Sequence, residues 1–280
     1  MENLRRALDV PPGGILVIDD FHHLPMELKT QTARTIKYAC DNPDRTATKF
    51  VLIGINKVGY ALLDNFPDLH GRVVTFSMGR QPDNKIEEMI SLGEAAANIR
   101  FVRKSEIALE AAGSFFMAQQ LCFFAAMAAG IEETQAKLTE VQQSVADITQ
   151  DILEYQRLKF HKPVTDFACF DTGVKQRGAC LALLYRMAFD GDGCVLVEDV
   201  RRQYPNLEAS FAWLGGDEAS RHREASERLA GLFHFDPAAG VFSAEDPQLQ
   251  FYMKHLEWTI LAKQVGLRAK ITPDAWLHIG

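Results

Sequence analysis

The chain has 280 residues, 47% of them hydrophobic and 24% charged, with a formal net charge of −7 at pH 7. That length admits two domains or three small ones, and the balance is that of a folded protein, not a disordered chain. The acidic excess argues against general electrostatic attraction to nucleic acid, and only a local basic patch stays open. No apolar run approaches the roughly 18 residues of a membrane span. Phe115 to Ile131 comes nearest, but it carries Gln119 and Gln120 and reads as a packed core helix. The N-terminus lacks a signal-peptide layout. Cys40, Cys122, Cys169, Cys180 and Cys194 are scattered without C-x-x-C spacing, so neither a disulfide framework nor a zinc site is expected. Reduced thiols, a cytoplasmic location and no membrane partner follow as expectations.

In chain order, the first element is Ile15-Leu16-Val17-Ile18, a continuous aliphatic run ending in Asp19-Asp20. Such a run reads as a parallel strand buried on both faces. Pro25 to Cys40 follows as a helix with Met26, Leu28, Ala33, Ile36 and Ala39 on one face. Lys49 to Ile55 is a second buried strand ending at Asn56. A short helix near Tyr60 to Asn65, a loop 67–72 and a third strand Val73 to Phe76 complete a strand–helix alternation, the pattern of a parallel sheet.

After Pro82 the pattern becomes helical: Asn84 to Leu92, Lys104 to Ala112, then Phe115 to Ala129 behind Gly113-Ser114. Glu132 to Phe160 reads as one long polar helix with Leu138, Val141, Val145, Ile148, Ile152, Tyr155 and Leu158 at helical spacing. The last third predicts a helix Thr172 to Phe189, a turn at 191–193, an apolar segment Cys194 to Val197, and helices Glu198 to Tyr204 and Asp217 to Leu229. A hairpin Leu232 to Ser243 and a helix Pro247 to about Leu261 follow. This order fits a winged-helix-like arrangement.

Two carboxylates at the tip of a buried parallel strand form the pattern of a Walker B strand, because ligands of open α/β sheets gather at strand carboxyl ends. No G-x-x-x-x-G-K-[ST] loop occurs in the chain. The chain therefore reads as an NTPase that begins after its own phosphate-binding loop.

The segment Ile15 to His22 resembles the Walker B strand of P-loop ATPases of the AAA+ and STAND type, and Val51-Leu52-Ile53-Gly54-Ile55-Asn56 is similar to their sensor-1 strand. Leu69-His70-Gly71-Arg72-Val73 sits where that family carries an arginine. Ala112-Gly113-Ser114-Phe115 resembles the opening of their sensor-2 helix, although Phe115 and Phe116 stand in place of its arginine. The stretch Phe242 to Tyr252 is similar to the end of winged-helix domains attached to bacterial STAND-like ATPases. The likeness spans roughly residues 14 to 262.

The resemblance implies an α/β fold: a partial parallel sheet of a P-loop core (1–81), a helical lid (82–131), a connecting helix (132–162), a winged-helix-like domain (163–265) and a tail (266–280). It implies ATP and Mg²⁺ as cofactors of the complete architecture, bound weakly or not at all by this chain alone. Asp19 would contact Mg²⁺ through water, Asp20 would orient the attacking water, and Asn56 would position water near a γ-phosphate. Arg72 would act as an arginine finger on a neighbouring subunit. The partners implied are a second copy of the chain or a separate chain supplying Walker A.

Each residue also has a plainer reading. Asp19 and Asp20 suit a strand-ending turn, Asn56 a cap, and Arg72 a solvated loop. His22-His23 lack the further ligands a transition-metal site needs. Lys175, Arg177, Arg186, Arg201, Arg202, Arg221, Arg223 and Arg228 leave DNA binding through the winged helix as a possibility, yet the hairpin from Phe233 to Phe242 has no Lys or Arg. The function expected is therefore the C-terminal portion of an ATP-dependent oligomerising or signalling ATPase. A non-catalytic adaptor and a winged-helix DNA-binding regulator are the alternatives.

Overall fold

A computed structural model describes residues 14–21, 24–42, 49–54, 69, 71–76, 79–171, 173–174, 177–189, 193–216, 232–236, 240–244 and 246–266. The fold is mixed α/β, and the chain divides into two compact units, 1–78 and 79–280. Among the described residues no helix is long and apolar enough to cross a membrane.

In the first unit, strand β1 (Ile15–Ile18) pairs in parallel with β2 (Lys49–Leu52), Ile15 opposite Lys49 and Ile18 opposite Leu52. Helix α1 (Met26–Asp41) makes the crossover, beginning just after Pro25, whose fixed φ suits a helix start. Ala33 and Ile36 of α1 pack with Phe21 and Leu69 against Ile18, Phe50 and Leu52.

Two expectations fail here. The strands are not buried on both faces, since Ile15 is 65% and Val17 53% exposed, while Val51 and Ile53 are also open. The helix covers one face only, so burial alternates along each strand with the period of the pleat. The third strand is not seen among the described residues: Val73 to Phe76 has no ladder partner there, and Phe76 is 84% exposed. Propensity alone does not make a strand without a neighbour to pair with. The helix near Tyr60 to Asn65 and the end of the second strand at Ile55 and Asn56 lie outside the described residues.

The second unit opens with α2 (Asp83–Ala97), β3 (Ile99–Phe101), α3 (Lys104–Glu110) and α4 (Phe115–Ala128). Ser114 caps α4 by accepting a hydrogen bond from the Met117 amide at 3.2 Å, a common role for a serine directly before a helix. The long helix expected from Glu132 begins instead at Val145. Residues 139–141 form β4, parallel to β3 with Ile99 opposite Thr139. The strand forms because its partner lies far back in the chain, which helical spacing cannot reveal.

Helix α5 then runs from Val145 to Ala168, through Pro163. An internal proline costs a helix about 3 kcal/mol. Buried Phe160, Val164 and Phe167 on its inner face offset that cost. Leu158, one of the apolar residues at helical spacing, is 90% exposed. The helix serves two cores: Val145, Ile148 and Ile152 join that of α2–α4, and Phe160, Val164 and Phe167 join the C-terminal one.

The C-terminal part comprises α6 (Ala179–Phe189), β5 (Cys194–Leu196), α7 (Val197–Gln203), α8 (Glu208–Leu214), β6 (Phe233–Asp236), β7 (Val241–Ala244), α9 (Pro247–Lys254) and α10 (Trp258–Gln264). The three strands form an antiparallel sheet in the order β5-β7-β6. The hairpin matches its sequence signal. Helix α6 starts later than Thr172, because Asp171 turns back to accept from the Gly178 amide at 2.7 Å. The closing helix is two, broken at residues 255–257. The expected helix Asp217 to Leu229 lies outside the described residues.

Candidate functional site

The aliphatic run of β1 delivers Asp19 and Asp20 to its carboxyl end, where both are exposed. Asp20 has φ +50°, a left-handed conformation that Asp tolerates better than most residues. Its backbone N–H donates to Asp19 Oδ1 at 2.9 Å. The kink has a structural purpose: it lets the Phe21 amide donate to the Ile53 carbonyl at 2.9 Å and drops the Phe21 ring, 1% exposed, into the core. The two carboxylates are thereby turned out at the strand end while the next residue closes the hydrophobic layer beneath them.

Arg72 is held elsewhere. Leu69 is buried, the Arg72 amide donates to its carbonyl at 2.9 Å, and Gly71 between them takes φ +79°. This tight turn aims the guanidinium at Asp41, with Nη2 2.8 Å and Nε 3.1 Å from Oδ1. Asp41 closes α1 on the way into β2, whereas Asp19 and Asp20 stand at the far end of β1, before α1 begins. The pairing therefore does not deliver Arg72 to the two carboxylates. Asn56, His22 and His23 lie outside the described residues. Among the described residues no group of three or more His, Cys, Asp or Glu side chains is gathered to hold a metal.

At the turn before α4, Gly113 has φ +82°, and a Cβ there would lie 2.7 Å from the Gln81 carbonyl oxygen. The close approach fixes the turn into α4. Phe115 and Phe116 project outward and are exposed, offering no cation to a phosphate.

Of the described basic residues in the C-terminal part, Arg201 and Arg202 are matched by acids, while Arg177 donates to the Gly266 carbonyl at 2.8 Å. Arg201 pairs with Glu208 and Glu198, and Arg202 with Glu198 and Asp199. The Glu208 pair holds the Arg201 guanidinium above its ordinary range and the Glu208 carboxyl below its own. Lys175, Arg221, Arg223 and Arg228 lie outside the described residues.

Sequence reasoning missed three polar centres. Glu94, buried in α2, accepts from the Phe101 amide at 2.7 Å and pairs with Lys104. Asp171 and Ser210 bond to each other in the C-terminal core. His255 meets Glu110 at 2.7 Å, and that neighbour holds the Glu110 carboxyl below the usual carboxylate range against the opposing effect of burial. No local motif marks any of them, since the partners are far apart in sequence. Comparison with protein-family models, with curated proteins and with solved structures finds no match for this chain.

Proposed function

We propose that this chain is the C-terminal portion of an AAA+/STAND-type ATPase, with a partial nucleotide-binding sheet, a helical lid and a winged-helix-like C-terminal module. The observation that carries the reading is the parallel β1/β2 pair with an intervening helix, ending in two solvent-facing carboxylates. Among the described residues the sheet has two parallel strands and one open apolar face, and because parallel sheets are ordinarily covered on both sides this supports reading it as part of a larger α/β layer. The order β5-β7-β6, with a helix before β5 and helices between β5 and β6, supports the winged-helix reading.

Bound Mg-ATP supplies a metal-polarised phosphoryl group. For the metal, the fit is partial: Asp19 spends one oxygen on the Asp20 amide and keeps the other at an exposed strand end, able to accept from a metal-bound water. For the phosphates there is no fit, since the chain has no G-x-x-x-x-G-K-[ST] cradle. No hydrolytic step is assigned to it alone. Arg72, tied to Asp41 and away from Asp19, suits an action on a neighbouring subunit better than one on its own.

Titration of millimolar Mg-ATP into the chain is expected to give weak, magnesium-dependent binding that Asp19→Asn abolishes. Absence of binding, with Asp20→Asn indistinguishable from the parent, would favour a non-catalytic adaptor. For the C-terminal module, the pairing of Arg201 and Arg202 with carboxylates favours a protein contact over DNA. Salt-dependent duplex binding that is lost on charge reversal at both arginines would reverse that preference.

A further inference from the structure

Helix α9 belongs to two cores at once. Leu249, Tyr252 and Met253 pack in the C-terminal core, while Phe251 inserts into the core of α2–α4. Just past its last turn, the His255 ring packs against Phe251 with centroids 4.6 Å apart and planes inclined at 45°. His255 Nδ1 lies 2.9 Å from the Phe251 carbonyl oxygen, and Nε2 lies 2.7 Å from Glu110 Oε1 at the end of α3.

These two contacts dictate a proton count. A carbonyl oxygen only accepts, so Nδ1 carries a hydrogen. A neutral ring with that hydrogen on Nδ1 turns the Nε2 lone pair toward the carboxylate. The approach is then attractive only if one further proton is held in the gap, on Nε2 or on Glu110. Glu110 Oε1 is shielded from solvent, and His255 Nε2 faces it at 2.7 Å.

We propose that Glu110 and His255 form a proton-dependent latch tying the end of α3 to the end of α9, closed while the pair shares a proton and released when it is lost. The latch acts whatever activity the chain has, so it does not rest on the ATPase reading.

Of the charges around this pair, Lys254 acts on it and several others are paired elsewhere. On α3, Lys104 is committed to Glu94, and Glu106 pairs with Arg103. Lys254 on α9 adds a positive charge that favours the Glu110 carboxylate. Helix α4 carries no charged side chain, and Cys122 is its one ionisable group. From α5, His161 meets the Tyr252 hydroxyl at 3.1 Å, Arg157 acts on the same Tyr252, and Lys159 pairs with Asp246 at the other end of α9. Helix α6 presents Tyr185 and Arg186, and the Tyr185 ring packs on Trp258.

The test is hydrogen-exchange protection of the amides of His255 and Leu256, measured on the full chain at about pH 6 and about pH 8.5. These amides donate to Tyr252 and Met253 as α9 closes. After correction for intrinsic exchange, the parent is expected to lose about two- to fivefold protection at the higher pH, the scale of a partly exposed ion pair. Glu110→Gln and His255→Gln should each remove that pH response. His255→Lys, a cation at both values, should keep protection high throughout. A pH response of the same size in the parent and in the Gln variants overturns the latch. Should the variants not fold, the nitrogen-15 shifts of the parent His255 ring decide. Both nitrogens protonated at about pH 6 supports the proposal, and a neutral ring beside an ionised Glu110 overturns it.

Discussion

Ser210 donates its hydroxyl to Asp171 Oδ2 across 39 positions of sequence, and both side chains are buried. The same carboxylate oxygen accepts from the Gly178 amide, and the Ser210 oxygen accepts from the Ala179 amide at 3.4 Å. Two orphan amides at the start of α6 are thus satisfied from inside the core. Ser210→Ala should destabilise the chain by about 1.5–3 kcal/mol, because it removes a bond to a buried charge. Asp171→Ala should cost more, since it also strips the Gly178 amide. Urea denaturation measures both, and a Ser210→Ala variant as stable as the parent would refute the assignment.

Gly113 and Ser114 act together at the start of α4 but through different physics. Ser114→Ala removes one capping bond and should cost about 1 kcal/mol. Gly113→Ala must place a Cβ 2.7 Å from the Gln81 carbonyl oxygen and 2.8 Å from the Arg80 Cβ, at a φ of +82°. Backbone has to move, so the glycine variant should lose more thermal stability than the serine variant. The reverse order in a melting experiment would contradict the close approach.

The acid limb of stability should carry a contribution from Glu110. Its carboxyl is held below its ordinary value chiefly by the His255 side chain, with burial opposing. A carboxylate depressed in the folded state adds stability that is present above its unfolded value and lost as pH falls through its folded one. Stability measured from about pH 5 downward should therefore fall less steeply in Glu110→Gln than in the parent. Equal slopes would show that the pair is not coupled to folding.

Thiol reactivity should separate the cysteines. Burial pushes the Cys122 thiol up to about 12, with Glu94 adding to the shift. Burial also raises Cys169, with Asp166 and Asp171 adding. The thiolate is the reactive form, so at about pH 8 the folded chain should alkylate first at exposed Cys40, with Cys122 protected until unfolding. Peptide mapping after brief iodoacetamide treatment reads this directly, and early labelling of Cys122 would contradict it.

The elements that sequence reading located carry their signals locally. Pro25 opens α1, Ser114 caps α4, and Asp246 caps α9 by accepting from the Gln248 amide at 2.9 Å. The β6/β7 hairpin lies between apolar runs around Asp236 to Gly240. The region 132–160 misled because Leu138 and Val141 keep helical spacing with Val145 by coincidence. The strand Thr139–Val141 exists only because Ile99 to Phe101 offers a parallel edge. The site was legible to the extent that Asp19 and Asp20 do end a parallel strand. Nothing local announced that Arg72 would be taken by Asp41.

By itself, then, the amino-acid sequence determined the caps, the hairpin, the acidic balance and that these 280 residues hold no G-x-x-x-x-G-K-[ST] stretch, because each is written in neighbouring residues. Tertiary structure alone decided the β3/β4 pair, the exposed face of Ile15 and Val17, and the buried partners Asp171–Ser210 and Glu110–His255. Periodicity says which side of an element is apolar. What covers that side, and which distant charge meets which, depends on contacts formed only when the chain closes on itself.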